Sequence, residues 1–222
     1  GTAILQLTIW LITNRLTKNT MLETYFPAGI AKGSAFLGRQ DEIRYLRHNI
    51  KARRHTLILA PRRYGKTSLV RHVLECLQLP HSEIDLFLPV DEQAAVLKLL
   101  AGIERLIQQV SSDPAYWVRM LGAFFKAANK KWSVNIQGLQ LELLPEKHSD
   151  PADNILSALN ALEAILSDKK QYAILFIDEF QEIAKLKSSL AIEGAIRHFA
   201  QNSEYLTIIF SGSSRSLLMH MF

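Results

Sequence analysis

Residues 60–67 read Ala60-Pro61-Arg62-Arg63-Tyr64-Gly65-Lys66-Thr67 and follow the short apolar run HTLILA at 55–60. The spacing Gly-x-x-x-x-Gly-Lys-Thr marks a loop that wraps phosphate. The segment departs from it at one place, where Ala60 stands for the first glycine. Such a loop needs backbone N–H groups curled round the anion, a lysine that reaches it, and a hydroxyl that ligates Mg²⁺. It must also join a strand to a helix N-terminus, where free N–H groups and the dipole favour negative charge. The β-rich run 55–60 supplies the strand. Leu69, Val70, Val73, Leu74 and Leu77 supply a helical face beginning within the Gly-Lys-Thr segment. Gly65 sits where the backbone must approach phosphate closely. Ala60 is small and Pro61 pre-sets a turn, so the missing glycine is tolerable.

A second motif supports the first. Residues 172–180, YAILFIDEF, read as a buried strand ending in Asp178 and Glu179. Two carboxylates at the end of a buried strand are costly unless they meet a cation or water. In parallel α/β sheets, ligands bind at the carboxyl ends of the strands. Asp178 is therefore expected beside Thr67, holding Mg²⁺ directly or through water. Glu179 is expected to polarise an attacking water. The plainer alternative is a helix N-terminus decorated by acids. A further strand over 205–210 ends in Ser211-Gly212-Ser213-Ser214. Ser211 is the candidate to touch a terminal phosphate or the water, although small residues after a strand are also ordinary turn material.

Working outward, an amphipathic helix is expected within 36–50 from the spacing of Ile43, Leu46 and Ile50. A second buried strand is expected over 83–90. A long helix face runs from Val96 to Val110. Residues 111–150 break the pattern: a helix rich in aromatics, then a hairpin with Gly138 near its bend, and together they read as an insertion. A helix follows over 152–166 with Asp153 as its cap, and another over 190–201. Strands alternating with helices predict a mainly parallel sheet with helices on both faces, a three-layer α/β sandwich. Residues 1–20 read as an upstream extension outside a core that occupies 21–222. The competing reading of those residues is a strand or helix that packs on a neighbour.

Composition bounds the class. The 222 residues, 48% hydrophobic and 21% charged, suit one globular α/β core. One cysteine, Cys76, excludes an internal disulfide and fits the reducing cytoplasm. The apolar N-terminal dozen is too short to span a membrane. The histidines show no zinc spacing. A net charge of +5 suits anionic partners, as does the basic run Lys51-Ala52-Arg53-Arg54-His55, though such runs also occur as solvated helix ends.

With these residues in hand, the chain resembles the archaeal-type ATPase family of the AAA+/STAND grouping of P-loop ATPases. Four pieces carry the resemblance: Phe36-x-Gly38-Arg39-x-x-Glu42-x-x-x-Leu46, the loop from Ala60 to Ser68 as Walker A, Leu175 to Gln181 as Walker B, and Phe210 to Ser214 as the sensor-1 strand. The resemblance implies binding of ATP and ADP with Mg²⁺ and hydrolysis of ATP. The nucleotide would be held by Gly38 and Arg39 near the adenine, and by Pro61, Arg62, Arg63, Tyr64, Gly65, Lys66, Thr67 and Ser68 around the phosphates. Lys66, Glu179 and Ser211 would be catalytic, with Thr67 and Asp178 at the metal. It also implies a sheet of order 5-1-4-3-2. The fifth core strand would follow residue 222, which leaves the strand before the loop at an open edge that invites a second copy of the chain. Arg197 and Arg215 are candidates for an arginine acting in trans. Protein and nucleic-acid partners both remain open, the latter including a nucleic-acid-binding module with a vestigial nucleotide site. A guanine reader is absent, since Asn129-Lys130-Lys131-Trp132 lacks the needed Asp.

Overall fold

Strands buried on both faces set the architecture. The computed structural model describes residues 8–11, 39–87, 91–138, 140–146 and 148–214. Five strands form one sheet: β1 (Thr8–Leu11), β2 (Thr56–Leu59), β3 (His81–Asp85), β6 (Ala173–Asp178) and β7 (Leu206–Gly212). Their order is β1-β2-β7-β6-β3, and every neighbouring pair is parallel. Successive side chains on a strand point to opposite faces. Leu57, Leu59, Leu175, Ile177, Ile208 and Phe210 accordingly enter one buried cluster, and Ile58, Ile174, Phe176 and Ile209 enter the other.

Helices α1 (Gln40–Lys51) and α2 (Lys66–Leu77) cover the second face. The first face carries α3 (Glu92–Val110), α5 (Pro151–Lys169) and α6 (Ser189–Asn202). The segment expected as an insertion forms α4 (Pro114–Ala127) and the antiparallel hairpin β4 (Trp132–Gln137) with β5 (Gln140–Pro145). Gly138 turns the hairpin at φ 63°. Trp132 stacks on Phe125 at 4.7 Å, and Leu141 and Leu143 join the same cluster as α3, so this segment shares the main core.

Three expectations change. The P-loop strand β2 has no open edge, because Thr8–Leu11, part of the segment assigned to an extension, pairs with it in parallel. That pairing satisfies backbone groups an edge strand would leave bare. The strand expected over 83–90 is β3 at 81–85: pairing with β6 has begun at Pro80, whose carbonyl accepts from Ile174 N, and the Asp85 carboxylate ends the strand by accepting from Phe87 N at 2.8 Å. The cap of α5 is Asp150, which accepts from Asp153 N at 2.9 Å. Pro151 at the first helical position moves the start earlier than Asp153.

Candidate functional site

The loop after β2 explains its own departure from the glycine pattern. Ala60 continues the strand ladder, its N–H donating to Gly212 O at 3.3 Å. It is not among the residues with positive φ, so a Cβ there costs the backbone nothing. The left-handed positions of the loop are Arg63 at φ 64° and Gly65 at φ 70°. At Gly65 an added Cβ would lie 3.3 Å from the Arg39 guanidinium. Arg39 donates to Tyr64 O at 2.5 Å and Gly65 O at 3.4 Å, so it ties the N-terminus of α1 to the loop backbone.

Lys66 opens α2 and is 4% exposed. Its Nζ donates to Ala60 O at 3.2 Å and Pro61 O at 3.4 Å, and lies 3.7 Å from Glu179 Oε1. A buried ammonium needs such partners. Next to it, Thr67 Oγ1 donates to Asp178 Oδ2 at 2.5 Å. Asp178 Oδ1 accepts from Glu179 N at 2.9 Å and from the Ser211 hydroxyl. The parallel register of β2, β7 and β6 puts these three strand ends side by side.

Glu179 leaves β6 in a left-handed conformation, φ 52°, and starts the 3-10 turn Phe180–Lys185. Its Oε2 accepts from Gln181 Nε2 and from Ser213 Oγ at 3.1 Å. Gln181 Oε1 in turn accepts from Ser213 N at 3.3 Å. Gln181 and Ser213 carried no expected role. Their part depends on two strand ends meeting in space, and the only local trace was their position just beyond the Asp-Glu pair and Ser211.

The other site residues divide. Ser211 is 0% exposed and its hydroxyl donates to the Asp178 carboxylate. Ser213, two residues on, takes the position near Glu179. Arg62 leans outward, 4.9 Å over the Phe87 ring and 4.0 Å from Glu182. Pro61 and Arg63 are exposed, Tyr64 is half-buried against the second core cluster, and Ser68 is buried. Arg197 lies on α6, where its charge acts on Glu193 of the same helix. Gly38 and Arg215 lie outside the described residues.

The residues brought together fit a magnesium nucleotide. A threonine hydroxyl beside an aspartate carboxylate is the hard-oxygen donor set Mg²⁺ prefers. Lys66 and the N-terminus of α2 supply the cationic end for phosphate.

No protein-family model and no curated protein matches the chain. Among solved structures it is similar to a Walker-type ATPase of Pyrococcus abyssi, with TM-score 0.52 and 22% identity over 89% of this chain and 51% of that one. It is also similar to the ORC2 protein of Aeropyrum pernix in its ADPNP–ADP complexes, with TM-score 0.50 and 15% identity over 90% of this chain and 46% of that one. The chain has the fold of P-loop ATPases. It spans about half the length of both structures. Among the described residues, no helix is long and apolar enough to cross a membrane.

Proposed function

We propose that the chain binds Mg-ATP at the loop 60–68 and hydrolyses it, with the cycle driving a conformational switch or remodelling a partner. The convergence of Lys66, Thr67, Asp178 and Glu179 on one strand-end cluster carries this reading. Thr67 and Asp178 would hold the metal, which would supply charge neutralisation and polarisation of the terminal phosphate. Lys66 neutralises the β/γ oxygens, and the loop N–H groups orient them. Glu179 takes a proton from the attacking water. The Glu179 carboxylate is engaged by Lys66, Gln181 and Ser213. Lys66 turning to phosphate would release one of those constraints and leave Gln181 and Ser213 to aim the carboxylate.

The test is release of inorganic phosphate from ATP by the purified chain with Mg²⁺, with GTP as competitor. Phosphate released to water, with GTP competing poorly, supports an ATPase. Transfer of the phosphoryl group to another acceptor, or equal use of GTP, would replace it with a different reading.

A further inference from the structure

A second concentration of basic residues lies on and just after α1. Residues 43–55 contain Arg44, Arg47, Lys51, Arg53 and Arg54 and no Asp or Glu, against a net charge of +5 for the whole chain. Gln40, Ile43, Arg44, Arg47, His48 and Lys51 share one face of α1, beside an open space of about 370 Å³. Arg44 pairs with exposed Asp41 at 3.5 Å, while Arg47, Lys51 and Arg54 make no ion pair among the described residues. The helix dipole accounts for His48 and Lys51 in the last turn of α1, but not for Arg44 and Arg47.

Beyond α1 the chain turns through Arg53, held at φ 56°. The guanidinium of Arg53 lies 3.6 Å over the Tyr172 ring, and Tyr172 stacks on Tyr205 at 5.4 Å and 12°. Tyr205 packs inward on the core and Arg53 is exposed, so the stack presents a guanidinium plane to solvent. Three acids lie near the stack in sequence: Glu204 is exposed, and Glu163 and Asp168 are hydrogen-bonded. The Glu163 carboxylate accepts from the backbone N–H groups of Glu204, Tyr205 and Leu206, and Asp168 accepts from the Tyr116 hydroxyl at 2.7 Å. Exposed Lys170 adds another cation two residues before Tyr172.

The stack sits at the N-terminal ends of β2, β6 and β7, whereas Asp178 and Gly212 mark the C-terminal ends of β6 and β7, and α1 runs from the loop side at Arg39 toward the stack. Six strand residues put roughly 17 Å between the two ends, so Arg53 and Arg54 do not serve the nucleotide. A row of cations leading to an aromatic–guanidinium stack matches a single-stranded nucleic acid: phosphates follow the basic face and a base lies on the outer plane.

We propose that the basic face of α1 and the Arg53–Tyr172–Tyr205 stack form a binding surface for single-stranded nucleic acid. Fluorescence anisotropy of a labelled oligothymidylate of about 20 nucleotides, titrated with the chain at about 50 mM and about 200 mM salt, tests it. Binding should weaken steeply with salt. Arg47→Glu combined with Lys51→Glu should weaken it by about tenfold or more, and Arg53→Lys by several-fold, because lysine keeps the charge but loses the plane. Lys131→Glu, a charge reversal half the size of the double variant's on an exposed residue next to the hairpin, should leave affinity unchanged. Melting curves confirm that each variant folds. Absence of binding at the lower salt would overturn the proposal. So would equal losses in Lys131→Glu, or an Arg53→Lys protein that binds oligothymidylate and heparin alike, which would mean diffuse attraction to any polyanion. The readout needs no nucleotide, so it stands or falls separately from the ATPase reading.

Discussion

Thr67 and Asp178 are 111 residues apart in the chain, and their side chains meet at 2.5 Å, the hydroxyl donating to Oδ2. Serine 211 secures the other carboxylate oxygen from β7. Asp178→Asn keeps the size of the side chain and removes the negative charge proposed to hold Mg²⁺. It should weaken Mg²⁺-supported ATP binding by about 10–100-fold. Titrations with and without a chelator should show the metal dependence of the parent and its loss in the variant.

Glu179→Gln should leave Mg-ATP affinity within a few-fold of the parent and lower turnover by about 10²–10⁴-fold, the usual contribution of a positioned base. Gln181→Ala should lower kcat with little change in KM, because Gln181 touches Glu179 and Ser213 and no loop residue. Steady-state phosphate release separates the two constants.

The paired signature and the strands that carry it were legible in the sequence because each is local. A strand, a Gly-Lys-Thr helix start and a buried run ending in Asp178-Glu179 all announce themselves within a dozen residues. The sheet order followed from the family resemblance, and the pairing of β2, β7, β6 and β3 agrees with it. What stayed hidden depends on distant pairing. Thr8–Leu11 joins β2 across more than 40 residues, Arg39 reaches back onto Gly65, and Gln181 meets Ser213 only because β6 and β7 end together. No periodicity encodes such meetings. The contact of Ser211 with Asp178 likewise depends on the register of β6 and β7, which buries its hydroxyl against that carboxylate.

Restoring the consensus glycine should not improve the loop. Ala60→Gly should cost about 0.5–1 kcal/mol of stability through backbone entropy and leave ATP affinity unchanged. Gly65→Ala should be harmful, because φ 70° disfavours a side chain and the Cβ would press on Arg39 at 3.3 Å. Urea melts and nucleotide titrations of the two variants should diverge in this way.

His55 supplies a pH dependence at the far end of the sheet. Its Nδ1 accepts from Ile208 N at 3.0 Å, which places the proton on Nε2. Burial pushes its pKa below the usual value, against a smaller upward pull from a backbone hydrogen bond at Ala200. The folded imidazole thus resists protonation that the unfolded one accepts. Its contribution should be constant above about pH 6.5 and fall as the pH drops below that, by at most about 1.4 kcal/mol per pH unit. Burial raises the carboxyls of Glu104 and Glu193, whose contributions run the other way, being lost as pH rises through their folded values. Comparing His55→Gln with the parent by denaturation between about pH 8 and pH 5 cancels those terms, and the variant should lack the His55 slope.

Calorimetric titration of Mg-ATP into the chain and into Lys66→Ala, both checked for folding by circular dichroism, tests the central claim most directly. Lys66 contacts both the loop carbonyls and Glu179. Saturable binding by the parent and none by the folded variant is the expected result. Equal binding by both, or none by either, would contradict a working phosphate cradle at residues 60–68.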